Sequence, residues 1–176
     1  RELVYNGKVP FVSNYFDNTI ICYSFSKSLS LPGERIGYIL VSSNIKNNKE
    51  LFYAICGAGR SLGFVCAPSL FQYMIPKCLG YTSDLSIYEL NRNLLYDNLT
   101  KIGYEVVKPD GAFYLFVKVP EKWGNDDMAF VNHLKTFNIL CAPGCSFGGK
   151  GYFRISYCVS EQTILNSKNA FKEANK

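Results

Sequence analysis

The segment 84–102 has the clearest helical pattern in the sequence, and it sets the framework for the segments around it. Ser83 or Asp84 can cap its start, and Gly103 can end it. Apolar side chains recur at helical spacing in one row flanked by a second: Ile87, Leu90, Leu94 and Ile102, with Leu95 and Leu99 beside them. We therefore predict a long, firmly packed helix that keeps this apolar row against a core.

Apolar runs rich in strand-forming residues lie on both sides of this helix. TIICYSF (19–25) and RIGYILVS (35–42) precede it, joined by a loop that contains turn residues. AFYLFVKV (112–119), a short strand in NILCAPG and YFRISYCV (152–159) follow it. Because TIICYSF is almost continuously apolar, we expect it to be buried on both faces, between strands of a mostly parallel sheet.

Helical patterns alternate with these strands. Residues 48–80 predict two helical pieces separated by GAGRSLG (57–63) and Pro68, and further helices are predicted at 126–137 and 161–174. The alternation of strands and helices predicts an α/β fold.

Composition and charge exclude several classes of protein. The 176 residues, 48% hydrophobic and 19% charged, are typical of one or two globular domains. There is no run of about 18 apolar residues, and the first residues lack the order of a secretory signal, so we expect no membrane partner. The formal charge of +5 comes from basic residues spread over the whole chain. We therefore expect no nucleic-acid partner.

The cysteines and the single histidine offer little chemistry of their own. Seven cysteines, mostly within apolar stretches, predict reduced, buried thiols in a cytoplasmic protein. CAPGC (141–145) has no second cysteine pair and His133 is isolated, so we predict no metal site and place His133 on a helix face. GAGRSLG lacks the third glycine of a dinucleotide fingerprint, which would fall at Leu62, and it is better explained as a helix junction.

Lys27 lies just after the first predicted strand, with Ser24 three residues before it and Arg35 eight residues after it. A lone lysine in a loop is usually a solvated surface charge. A hydroxyl and a guanidinium nearby, however, suit a phosphate dianion, because the guanidinium can donate two parallel hydrogen bonds to its oxygens. A phosphate anchored beside a lysine amine is the arrangement that pyridoxal 5'-phosphate needs, since this cofactor forms an imine with lysine.

The stretch SFSKSLSLPGERIGY (24–38) resembles the S-x-S-K loop and the following G-x-R-x-G of fold-type I pyridoxal phosphate enzymes, in particular the class I/II aminotransferases. The resemblance implies that Lys27 holds the cofactor and then moves a proton between the substrate α-carbon and the cofactor's C4′ carbon. It also implies that Ser24 and Arg35 bind the phosphate. Ser26 and Ser28 would serve the loop structure only.

The resemblance continues into the second half of the chain. PDGAFYLFVKVP (109–120) is similar to a G-x-F strand of the family, and CAPGCSFGGKGYFRISYCVS (141–160) is similar to its closing P-G-x-x-F-G…R-I-S segment. By this resemblance Arg154 binds the substrate α-carboxylate, and the alternative is a strand-end arginine in a surface salt bridge. Residues 1–82 would be the C-terminal part of the large cofactor-binding domain, and residues 83–176 the small domain, opening with the long helix.

The resemblance also implies that the parent protein is longer than this chain. RELVY looks like the residues just after a D-x-x-Y motif, whose aspartate pairs with the pyridinium nitrogen. We therefore expect an aspartate-aminotransferase-like parent that acts on amino-acid and 2-oxo-acid substrates as a homodimer. This chain alone would be inactive and bind the cofactor weakly or not at all. The alternatives are a C–S β-lyase of the same fold and a non-catalytic interaction module.

Overall fold

The computed structural model describes residues 2–176, which form two compact units that meet in sequence between Ser83 and Asp84. Strands and helices occur in both units, as the predicted α/β class requires.

The first unit is built on a two-stranded antiparallel sheet. Strand β1 (Ile20–Ser24) pairs with β2 (Gly37–Val41), from Ile20 opposite Val41 to Ser24 opposite Gly37. Both strands lie where the sequence predicted them. Within residues 2–176, β2 is the single strand neighbour of β1 and pairs with it antiparallel, so the expected place between strands of a mostly parallel sheet is not found there. The side chains of β1 alternate between exposed and half-buried.

Three helices complete the first unit: α1 (Phe25–Ser28), α2 (Asn48–Ser61) and α3 (Ser69–Met74). Short 3-10 turns lie at Val12–Asn14 and at Ile75–Cys78. The predicted break between two helices is confirmed at the end of GAGRSLG (57–63), because α2 continues through Gly57 and Gly59 and stops at Ser61, and α3 starts directly after Pro68. The helix ends just before Gly63, which adopts a left-handed φ of +87°.

The core of the first unit is small. Phe25, Ile36 and Ile75 are its buried centre, and partly buried side chains surround them: Tyr23, Leu29, Leu31, Ala67 and Phe71. Many other large apolar side chains of this unit are exposed, including Phe64 at 76% and Tyr73 at 80%.

The second unit opens with the predicted long helix, α4 (Leu85–Ile102). The Asp84 carboxylate accepts a hydrogen bond from Ser86 N at 2.9 Å, and Gly103 ends the helix with a φ of +101°. The predicted apolar row is wrong at Ile87 and Leu90, which are exposed, whereas the flanking Leu95 and Leu99 are buried as expected. The face turned inward is instead the row Asn91, Leu95 and Leu99.

A four-stranded antiparallel sheet and two more helices complete the second unit. The strands are β3 (Val106–Val107), β4 (Tyr114–Lys118), β5 (Ala142–Pro143) and β6 (Tyr152–Ser156), in the spatial order β3-β4-β6-β5. The helices are α5 (Asp127–Lys135) and α6 (Glu161–Ala174), with 3-10 turns at Glu121–Trp123 and Gly144–Phe147. Of these elements, the two-residue strand β3 and the 3-10 turns were not predicted.

The core of the second unit lies between this sheet and its helices. Leu115 and Val117 of β4, Phe153 of β6, and Phe130 and Leu134 of α5 are fully buried. This core holds the sheet rigidly, and β6 is one of its two central strands.

His133 and the cysteines occupy structural positions. His133 lies on α5, as predicted, where its ring contacts Trp123 at a centroid distance of 4.7 Å. The prediction of buried cysteines is wrong for Cys22, Cys66, Cys145 and Cys158, which are exposed. Within residues 2–176, no group of three His, Cys, Asp or Glu side chains is arranged to hold a metal ion, and no helix there is long and apolar enough to span a membrane.

Candidate functional site

Lys27 lies in α1, the single helical turn that follows β1 directly. Ser24 ends the strand with extended dihedral angles and caps this turn, because its Oγ accepts a hydrogen bond from Ser26 N at 3.3 Å. Ser83 holds the other side of the turn: its hydroxyl lies within hydrogen-bond distance of Lys27 O and Ser28 O, and its backbone N–H donates to Ser28 O at 2.7 Å. The backbone that carries Lys27 is therefore fixed from both sides.

The Lys27 side chain is exposed, whereas its neighbours Ser26 and Ser28 are buried. Across residues 2–176, its Nζ makes no hydrogen bond and no ion pair. A fixed backbone and a free amine suit a nucleophile, because the amine can reach a partner without first giving up another contact.

Arg35 lies at the same end of the β1–β2 ladder as Lys27. The last ladder pair is Ser24 with Gly37, and one more hydrogen bond, from Phe25 N to Ile36 O at 3.1 Å, extends the pairing to the residue next to Arg35. Arg35 adopts a φ of +51°, which is uncommon for a residue with a side chain. Within the described residues 2–176, its exposed guanidinium donates one hydrogen bond, to Pro32 O at 2.9 Å, so further N–H groups remain available.

Gly37 allows the two strands to approach at this end. A Cβ at this position would lie well inside van der Waals distance of the Tyr23 carbonyl oxygen and close to the Cα of Ser24. The second glycine of the G-x-R-x-G pattern is therefore required by the strand pairing that brings Arg35 towards Ser24.

The structure thus gathers a primary amine, a hydroxyl and a guanidinium at one end of a two-stranded ladder. This donor set fits a phosphorylated aldehyde such as pyridoxal phosphate: the amine can bond to the aldehyde carbon, and the two other groups can hydrogen-bond to phosphate oxygens. The Ser24 hydroxyl, which donates to Ser26 Oγ at 2.9 Å, can serve a phosphate by rotating.

Arg154, in the second unit, lies near the middle of β6, opposite Phe116 of β4 and Ala142 of β5. Its half-buried guanidinium carbon is 3.6 Å from the centroid of the Phe147 ring and 4.2 Å from that of the Tyr114 ring. It forms no hydrogen bond or ion pair with any residue from 2 to 176, so the surface salt bridge considered as an alternative is not found there. Stacking on the two rings leaves its N–H groups available for an anion.

The turn that carries Phe147 is held in place by Asp127, the first residue of α5. Asp127 is 4% exposed, and its carboxylate accepts a hydrogen bond from Cys145 N. Burial opposes ionisation of this carboxyl, but the N–H of Cys145 and the N–H groups at the start of α5 favour the carboxylate more, so its pKa lies below the usual value. Gly144 begins the turn, and a Cβ there would collide with the carbonyl oxygens of Gly149 and Tyr152.

Sequence reasoning did not identify Tyr114, Phe147 or Asp127 as part of this site. Phe147 carries a recognisable signal, because it is the aromatic residue of the P-G-x-x-F-G pattern quoted above. Asp127 looks like any acidic residue in the first turn of a helix, and its contact with Cys145 depends on tertiary structure.

Comparisons with known proteins show which family this chain resembles. The model of the family "Aminotransferase class I and II" matches residues 1–170. A probable aspartate aminotransferase of Methanocaldococcus jannaschii is 30% identical and matches 98% of this chain, and a (5-formylfuran-3-yl)methyl phosphate transaminase of the same organism is 32% identical and matches 97%. The crystal structure of an amino transferase from Eubacterium rectale is 55% identical, with a TM-score of 0.90 over 98% of this chain.

These relatives are considerably longer than this chain. The match covers 47% and 46% of the two M. jannaschii proteins and 43% of the E. rectale chain, so the chain spans about half the length of the curated relatives it matches. The family model extends over nearly all of the chain, and the similarity includes both the Lys27 and the Arg154 segments. The chain belongs to the class I and II aminotransferases.

Proposed function

We propose that this chain is the lysine-bearing portion of a pyridoxal phosphate-dependent aminotransferase. In this proposal Lys27 bonds to the cofactor, Ser24 and Arg35 bind its phosphate, and Arg154 binds the α-carboxylate of the substrate. The observation that carries the proposal is the free Lys27 amine on a fixed turn, at the end of the ladder where the Ser24 hydroxyl and Arg35 also lie.

The proposed reaction moves the α-amino group of an amino acid to a 2-oxo acid in a ping-pong cycle. When bound, pyridoxal phosphate supplies a conjugated ring that accepts the electron pair released at the substrate α-carbon. Lys27 Nζ would hold the cofactor at its aldehyde carbon, and its free amine would move the proton from the substrate α-carbon to the C4′ position. Ser24 and Arg35 keep the phosphate in place, and Arg154 orients the substrate through two parallel N–H···O bonds to its carboxylate.

We propose aspartate or a similar amino acid as the amino donor. The name of one M. jannaschii relative, a probable aspartate aminotransferase, supports this choice, whereas the other relative is named for a different substrate. Both names describe amino transfer, and the reaction class is therefore better supported than the substrate.

We further propose that the catalytic unit is a longer, cytoplasmic protein that forms a homodimer, and that this chain alone is inactive and binds the cofactor weakly at most. The length of the relatives supports the first point, because the match leaves more than half of the E. rectale chain uncovered. The free state of the seven cysteines agrees with a reducing compartment.

The test is to reduce the longer enzyme with borohydride in the presence of pyridoxal phosphate and to locate the modified lysine by mass spectrometry. We expect the label on Lys27, and we expect Lys27→Ala to lower amino transfer from aspartate to 2-oxoglutarate by at least about 100-fold, the scale of a lost general base. The control is Lys77→Ala, since Lys77 is an exposed lysine of the same unit that should leave the activity unchanged.

A label on another lysine, or full activity of the Lys27→Ala variant, would contradict the proposal. Release of sulfide from a cysteine-derived substrate without amino transfer would instead indicate the β-lyase reaction. The same reduction carried out on this chain alone should leave Lys27 largely unlabelled.

A further inference from the structure

We propose that Asp127 is a positioning residue for substrate binding, because it fixes the turn that holds Phe147 against the Arg154 guanidinium. The inference rests on the proposed role of Arg154 as the receptor of the substrate carboxylate. Asp127 itself does not touch the substrate in this proposal and acts through Cys145 and Phe147.

The Asp127 carboxylate is buried at the start of α5. A carboxylate that is 4% exposed is costly unless hydrogen-bond donors compensate for the lost water. Outside α5, it accepts a hydrogen bond from the backbone N–H of Cys145, which lies in the turn Gly144–Phe147. This bond is charge-assisted, and it ties the start of α5 to the turn.

The turn Gly144–Phe147 has a fixed internal geometry. It is closed by hydrogen bonds from Gly149 N to Gly144 O at 2.9 Å and from Gly148 N to Cys145 O at 3.3 Å. Gly148 adopts a φ of +75°, and Gly144 has no room for a Cβ. These bonds shape the turn internally, whereas the Asp127 carboxylate anchors it to a helix of the core.

The turn contacts Arg154 through the Phe147 ring. The Phe147 ring centroid lies 3.6 Å from the guanidinium carbon, closer than the Tyr114 ring at 4.2 Å. An arginine held by two rings loses little conformational entropy when a carboxylate binds, because its side chain is already ordered. Release of the turn would move Phe147 and leave the guanidinium held from the Tyr114 side alone.

Two adjacent aspartates provide a matched experiment. Asp126 caps α5 through a hydrogen bond from Ala129 N at 2.8 Å and, within residues 2–176, makes no hydrogen bond to the turn, whereas Asp127 bonds to Cys145. Asp126→Ala and Asp127→Ala remove the same charge from neighbouring positions. Both variants lose one negative charge at the start of α5. A difference in their aspartate binding therefore reflects the lost contact between Asp127 and the turn.

The measurement is NMR of the full chain, with the Arg154 Nε–Hε resonance as the reporter and L-aspartate as the carboxylate probe. In the wild type and in Asp126→Ala, ring currents should displace this resonance from its random-coil position. In Asp127→Ala the displacement should shrink, and the dissociation constant for aspartate should rise roughly two- to fivefold, the equivalent of one cation–π contact. Asp127→Asn keeps an acceptor oxygen and should retain most of the displacement, which covers the case in which the alanine variant does not fold.

The outcomes separate this inference from the proposed function. An Asp127→Ala variant that is folded, with the wild-type resonance and the wild-type affinity, overturns the positioning role alone. Equal binding of aspartate by the wild type and by Arg154→Lys overturns the proposed role of Arg154, and this inference falls with it.

Discussion

Asn91 is a polar residue that is buried in the second unit. It is 2% exposed on α4, and its side-chain amide donates hydrogen bonds to the carbonyl oxygens of Tyr157 at 3.1 Å and Val159 at 2.8 Å. These carbonyls follow directly after β6, the strand of Arg154. One amide therefore joins the long helix to the end of the strand that carries the proposed substrate receptor.

We expect Asn91→Ala to lower the free energy of unfolding by about 1–3 kcal/mol, because it leaves a buried carbonyl without its partner. The matched control is Asn166→Ala on α6, where the exposed amide accepts a hydrogen bond from Gln162 at the surface and the change should stay within about 0.5 kcal/mol. Urea unfolding of the two variants measures the difference. Equal midpoints would show that the Asn91 hydrogen bonds contribute nothing net.

At the level of elements, α4 shows how a sequence pattern can give the right helix and the wrong face. The pattern placed Ile87 and Leu90 inside, yet they are 55% and 54% exposed. The buried row contains Asn91 followed by Leu95 and Leu99 at steps of four residues, so a polar member obscures its apolar character in the sequence. The amide is tolerated there because it is hydrogen-bonded.

Two leucines of α4 test this assignment of the buried face. Leu99 is fully buried, and its replacement by alanine should cost about 2–5 kcal/mol, since it leaves a cavity in the core. Leu90→Ala makes the same chemical change at an exposed position and should shift the stability by no more than about 0.5 kcal/mol. Urea unfolding distinguishes the two cases, and a larger loss for Leu90→Ala would restore the face expected from the sequence.

Other elements were predicted where their signal is local in the sequence and missed where they depend on tertiary contacts. The helix Glu161–Ala174 and strand β1 were predicted well, because caps and apolar runs are encoded locally. The strand β3 has two residues and leaves too little pattern to detect. In the candidate sites, the residues of the lysine loop and Arg154 could be named from motifs, but the Asp127–Cys145 bond depends on which helix packs beside the turn.

At the level of the whole molecule, the two units differ in how much core they possess. Among residues 2–176, four apolar side chains of the first unit are buried: Leu3, Phe25, Ile36 and Ile75. The second unit buries sixteen, among them Phe130, Phe153 and Tyr157. Since burial of apolar surface is the main favourable contribution to folding, the second unit is the more stable folding unit.

This contrast predicts that the units behave differently when produced separately. Residues 84–176 should unfold in a single cooperative urea transition, whereas residues 2–83 should show no cooperative transition and should bind a dye that reports exposed apolar surface. Far-UV circular dichroism and dye fluorescence measure both. A sharp transition for residues 2–83 would contradict this prediction. If it holds, the strand and rings around Arg154 can be studied on residues 84–176 alone.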